Sequence, residues 1–159
     1  RPLIRPLRVH LLPLAGEKAK MAPMFSLSPA LTRSASPLLD LPLSTVLLKE
    51  DARWPWLILA PRREGMEHFT DLEPVDMATA MDEIRAASAA IRAEAGVERV
   101  NLGVLGNVAP QLHIHVVGRW PGDAAWPGPV WGVEGKVAYA AEARAALVER
   151  LAGRLKDRL

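Results

Sequence analysis

The stretch Gln111-Leu112-His113-Ile114-His115-Val116-Val117 decides how the rest of this chain is read. Its polar and apolar residues alternate, and a strand sends successive side chains to opposite faces. Leu112, Ile114 and Val116 therefore make a side fit for a core, while Gln111, His113 and His115 share the other. That second side carries a carboxamide and two imidazoles, and an imidazole ordinarily titrates near neutral pH. Such a row can bind a phosphate, attack a phosphorus atom or hold a metal.

Bulk properties narrow the field. A chain of 159 residues, half of them apolar and about a quarter charged, is long enough for one domain with a real core. With no cysteine, disulfides, thiolate catalysis and cysteine-type zinc sites drop out. No apolar run reaches the roughly 18 to 20 residues of a membrane span, so no membrane role is expected and a cytoplasmic location is the default. The formal net charge is +2, but Arg1, Arg5, Arg8, Lys18 and Lys20 stand against only Glu17 in residues 1–23. The remainder is thus mildly acidic, which argues against a nucleic-acid partner.

Prolines at 2, 6, 13 and 23 break up the first 23 residues. They are expected to form a poorly ordered or non-native N-terminal extension, with Met21 or Met24 as the natural start, and residues 24–159 to form a single domain. Ser44 to Lys49 and Trp56 to Ala60 read as strands joined by a turn over Glu50 to Pro55. A helix opens near Pro74, with Met77, Met81, Ile84, Ala87, Ile91 and Ala95 along its apolar side, and Gly96 stops it. Arg99 to Val104 is predicted as a third strand and Gln111 to Val117 as a fourth. Trp120 to Gly132, rich in Trp, Pro and Gly, reads as a loop. An amphipathic helix with Leu147, Leu151 and Leu155 on one side closes the chain. The predicted class is α+β: an antiparallel sheet with one long central helix and a C-terminal helix.

Three readings of the His-x-His pair compete. Both rings can be structural. They can be two ligands of a metal-binding domain, with a third from His10, His68 or a carboxylate. Or His113 can be a nucleophile toward phosphorus, given an acceptor on its other nitrogen, while His115 donates to a phosphate oxygen. Gln111 can donate through its amide but cannot act as acid or base. The loop Gly106-Asn107-Val108-Ala109-Pro110 runs straight into the strand and can bring backbone N–H groups to an anion.

The run from Gly106 to Arg119, Gly-Asn-Val-Ala-Pro-Gln-Leu-His-Ile-His-Val-Val-Gly-Arg, resembles the signature of the histidine triad (HIT) superfamily of nucleotide hydrolases and transferases. The likeness runs from about Phe25 to Gly132. Leu57-Ile-Leu-Ala-Pro61-Arg62-Arg63 is similar to the family's strand ending in Pro and basic residues, and Trp126-Pro-Gly-Pro-Val-Trp131-Gly132 to its Trp/Pro segment. The combination resembles a bacterial branch with Gln at the first motif position. The resemblance implies attack by His113 on the α-phosphate of a dinucleoside polyphosphate or nucleoside phosphoramidate through a nucleotidyl-histidine intermediate. His115 would hold phosphate oxygens, and Asn101, Asn107 and Arg119 would lie near the phosphate. Asp51, or Glu50, would bind ribose. It also implies a homodimer, a purine nucleotide as the small-molecule partner, and neither metal nor other cofactor. The tryptophans can stack on a base, fill the core or meet the partner subunit.

Three positions depart from the family pattern: Gln111 for the first histidine, Val108 where some members place a hydroxyl, and Glu64 for a histidine after the basic pair. Together they remove candidates for protonating the leaving group, a contribution typically of about 10²–10⁴-fold. A nucleotide-binding or interaction protein with little or no turnover is therefore the rival expectation.

Overall fold

The computed structural model describes residues 25–158. The expectations for residues 1–23, and His10 with them, lie outside that range. The elements run α1 (Pro29–Thr32), β1 (Ala35–Asp40), β2 (Ser44–Lys49), β3 (Trp56–Pro61), a 3-10 turn at Phe69–Asp71, α2 (Pro74–Arg92), β4 (Arg99–Gly103), β5 (Ile114–Arg119) and α3 (Ala141–Lys156). The five strands form one antiparallel sheet in the order β1-β2-β3-β5-β4. This is the α+β arrangement expected, with one strand more. Among the described residues no helix is long and apolar enough to cross a membrane.

The added strand, β1, carries Pro37 and no β-branched residue, so composition hides it. As an edge strand it tolerates a proline that a central strand would not, and its ladder with β2 slips between Pro37 and Leu39. The strand predicted at Gln111 to Val117 instead starts at Ile114 and runs to Arg119. The register sets Leu59 opposite Ile114, so residues 112 and 113 would fall opposite Pro61 and Ala60. Pro61 has no N–H to continue that ladder, and Leu112 donates to the Met66 carbonyl instead, at 2.8 Å.

The two faces of the sheet have different work. On one, Val46, Leu48, Leu57, Leu59, Ile114 and Val116 meet α2 and α3 through Ile84, Ile91, Leu147, Leu151 and Leu155. Each such side chain contributes roughly 1.5–3 kcal/mol by leaving water. Met81 and Ala95, expected on the inner side of α2, are exposed, and Ala95 lies past the helix end. Ala80, Ala86 and Ala90 turn inward instead, small enough to bring the helix close to the sheet. Glu83 is fully buried among them, its Oε1 accepting from the N–H groups of Leu43 (2.6 Å) and Ser44 (3.2 Å). On the opposite face, Leu47, Ile58, Ala60 and Val117 are covered by α1, by Trp54 and Trp56, and by the segment around Val130. The candidate residues His113 and His115 lie on that second face.

Candidate functional site

Register fixes which residues share the second face. His115 sits opposite Ile58 of β3 on one side and Gly103 of β4 on the other. Two residues along β3, on the same side of the sheet, comes Trp56. His113, just before β5, turns to this side too, and its ring centre is 4.8 Å from that of His115 at a steep 82°. Both rings line a cavity of about 870 Å³, large enough for a nucleotide. Leu31 of α1, Asp51 and Trp54 of the β2–β3 turn, Leu105 to Ala109, and Val130 to Val133 complete its walls.

The ring nitrogens have distinct partners. His113 Nδ1 lies 2.7 Å from the Gln111 carbonyl oxygen, which only accepts, so this bond requires the proton on Nδ1 and, in the neutral ring, leaves Nε2 with a lone pair. His115 Nδ1 accepts from the Trp56 indole Nε1–H at 3.0 Å, which puts its proton on Nε2. Burial, followed by the nearby His113 and Lys49, lowers the His115 pKa to about 3, so the ring is neutral at pH 7. One imidazole thus offers a nucleophilic lone pair, the other an N–H.

The remaining expected residues divide. Asn107 is exposed on the wall formed by Leu105 to Ala109, where Gly106 adopts a φ of +69° to make the turn. Val108, 85% exposed, stands at the mouth. Asp51 and Glu50 also line the cavity. Asp51 is committed to Arg53 (2.6 Å to Nη2) and the Val137 N–H (3.2 Å). Burial alone would raise its pKa, but these partners hold it below the ordinary value. Glu50 pairs with Arg144 of α3 at 2.6 Å.

Gln111 does not join the histidines. Its Oε1 accepts from Ser28 N and its Nε2 donates to the Ser26 carbonyl, both at 2.8 Å. The row of three polar groups is a row of two, because the Gln111 carboxamide is occupied in fastening the chain that leads into α1. Arg119 and Asn101 are corrections as well. Arg119 is 1% exposed and grips both oxygens of Asp123 (2.7 and 3.0 Å), Asn101 Oδ1 (2.7 Å) and the Gly128 carbonyl (2.9 Å). It does not line the cavity. A guanidinium this buried demands fixed acceptors, and meeting that demand anchors the Trp/Pro loop that delivers Val130 and Trp131 to the cavity. Burial alone would raise the Asp123 carboxyl, but Arg119 and the N–H groups of Ala125 and Trp120 hold it well below the usual carboxylate range.

Glu64 and His68 are exposed and away from the cavity. Among the described residues no cluster of three His, Asp, Glu or Cys side chains could hold a metal, and His10, a candidate third ligand, lies outside them.

Sequence reasoning left out Lys49, Gly103 and the pairing of Trp56 with His115. Lys49 lines the cavity, bonds Ser34 Oγ at 2.8 Å and lies 5.5 Å from the Trp56 ring centre. Burial, with Lys136 acting the same way against Asp51, pushes its ammonium below the ordinary lysine range. Gly103 is where Trp131 comes closest to the sheet: a Cβ there would fall 2.4 Å from Trp131 Cζ2. No periodicity marks these residues, since only the strand register makes them neighbours.

A five-stranded antiparallel sheet backed by two helices, with an imidazole pair and a Gly-Asn loop on its open face, defines the class. The HIT domain model matches residues 33–122, and the chain belongs to that family, whose members are in general nucleotide-binding hydrolases and transferases. Solved structures agree. A histidine triad protein from Bradyrhizobium japonicum is 40% identical, with 84% of this chain and 99% of that one covered and a TM-score of 0.81. A histidine triad protein from Marinobacter aquaeolei is 36% identical, covering 86% of this chain and 100% of its own, with a TM-score of 0.82. One from Sinorhizobium meliloti is 37% identical over 85% and 97% of the two chains, with a TM-score of 0.77. No curated protein matches the sequence.

Proposed function

We propose that this protein binds a purine nucleotide in the cavity and hydrolyses or transfers at its α-phosphate, with His113 as nucleophile. The observation that carries the reading is the pair of hydrogen bonds at the two Nδ1 atoms, to the Gln111 carbonyl at His113 and from the Trp56 indole at His115, which call for opposite tautomers. His113 Nε2 attacks phosphorus as the bond to the leaving group breaks. The Gln111 carbonyl accepts from Nδ1–H and stabilises the cation that forms on the ring. His115 Nε2–H donates to a non-bridging oxygen as charge builds there. Water then attacks phosphorus, the P–N bond breaks, the nucleoside monophosphate departs and His113 is regenerated. The apolar walls, Leu31, Trp54 and Trp131 among them, suit a base. Asp51 is the proposed ribose contact, and Asn107 donates near the phosphate.

No side chain is assigned to protonate the leaving group, because Gln111 is occupied and Val108 has no hydroxyl. Substrates whose leaving group needs little help, a diadenosine polyphosphate or a phosphoramidate with a basic amine, are therefore favoured. Wild type should release adenosine monophosphate from one or both, and His113→Ala should lower turnover at least about 10³-fold, as loss of a nucleophile does. Equal background turnover in the two proteins would refute the enzymatic reading. The same two absences favour a second reading, a nucleotide binder without turnover. Micromolar binding by calorimetry, with no labelled histidine trapped on a neutral quench, would favour it. The proposed assembly is a homodimer, supported by the outer edge of β4, which no strand among the described residues pairs, and by its exposed Leu102.

A further inference from the structure

Trp56 is 5% exposed and lies on the cavity face of β3, diagonal to His115 across the β3–β5 ladder. Its indole is wedged by two others, Trp54 at 6.3 Å and 74° and Trp131 at 6.4 Å and 88° between ring centres and planes. That packing leaves the indole little rotational freedom. Its Nε1–H points to His115 Nδ1 at 3.0 Å, with the rings 5.4 Å apart and 71° from parallel. An indole nitrogen donates and never accepts. The partner nitrogen must therefore be the bare one.

We infer that Trp56 is a positioning residue that holds His115 as a neutral Nε2–H donor, so that His115 serves the site as a fixed dipole and not as an acid or base. Without that indole, His115 is free to take either tautomer, and the Nδ1–H form would aim a second lone pair at an incoming phosphate oxygen. Protonating the ring would also set a new N–H against the indole N–H, two donors with no acceptor between them. The titratable groups that act on this ring are His113 and the Lys49 ammonium on β2, and both oppose a positive charge there. Trp56 thus does by hydrogen bonding what a backbone carbonyl does, in the opposite sense, for His113.

The hydrogen bond and the tautomer stand on geometry alone. The donor's service to a phosphate oxygen rests on the nucleotidyl reading above. Nitrogen-15 NMR of the full-length wild type tests the first part. It should show His115 protonated at Nε2 only, unchanged from pH 8 to pH 5, and a coupling across the hydrogen bond between Trp56 Nε1 and His115 Nδ1. A wild-type ring protonated at Nδ1, or no such coupling, overturns the assignment before any variant is made. In Trp56→Phe the ring should populate both tautomers and titrate closer to about 6.5, the ordinary histidine value. An unchanged tautomer in that variant would also overturn it. With a nucleotidyl substrate, Trp56→Phe should lower kcat by no more than about 10²-fold with KM nearly constant, the lower end of losing a charge-stabilising donor outright. A wild type without turnover would sink the nucleotidyl reading and leave the NMR result standing.

Discussion

His115 carries a cost that appears when the solution is acidified. Its folded pKa of about 3 lies below the ordinary value of 6.5, so between those two values the unfolded chain binds a proton that the folded chain refuses. Stability must therefore be full above about pH 6.5 and decline as the pH falls toward 3, at a limiting slope of roughly 1.4 kcal/mol per unit. Urea titrations at pH 7 and pH 5 should show this loss in wild type and a smaller one in His115→Gln, whose amide oxygen can still accept from Trp56. Equal losses in the two proteins would mean that the imidazole is not held neutral. The alternation in Gln111 to Val117 foretold that two histidines share a face. It said nothing about their protons, because the partners of those nitrogens come from the Gln111 backbone in one case and from β3 in the other.

Among the elements, β4 does more than extend the sheet. Its last residue, Gly103, faces His115 and leaves the room into which Trp131 fits. In Gly103→Ala a rigid ring, not a flexible side-chain end, must yield by about an ångström, a kind of overpacking that typically costs 1–3 kcal/mol. The displaced indole has the cavity before it. The expected outcome is a lower urea midpoint together with weaker nucleotide binding by calorimetry, whereas wild-type affinity and stability would show that Trp131 has slack. The strands and helices themselves were largely legible, since β2, β3, α2 and α3 carry strong apolar patterns. The edge strand β1 was not, because its pairing with β2 overrides a composition poor in strand formers. Glu83 was hidden for a related reason: it lies within a helix of good pattern, and its acceptors' duty is toward backbone N–H groups some forty residues earlier in the chain.

For the molecule as a whole, the sheet's two edges are unequal. On β4, Leu102 is 51% exposed, and beyond the strand Val104 and Leu105 are 44% and 39% exposed, an apolar rim next to backbone groups that no strand among the described residues pairs. Such an edge invites pairing with another strand. If two copies meet there as proposed, sedimentation should give a dimer for wild type and a monomer for Leu102→Lys, with the monomer still folded by circular dichroism. A monomeric wild type at micromolar concentration would rule out the dimer. The two long helices are stapled differently, by the Glu94 carboxylate of the α2–β4 connection reaching both Arg150 and Arg154 of α3.

By itself the sequence determined the α+β class, the two long helices, the family signature and the presence of two imidazoles on one side of a strand. Those features are local: they depend on period, on turn chemistry and on a contiguous motif. Tertiary structure alone decided that Arg119 belongs to a buried ion pair, that Gln111 ties down the chain before α1, and that Trp56 meets His115. Each depends on which atoms from distant segments come within hydrogen-bonding reach, and that is set by strand register and loop closure, not by spacing along the chain.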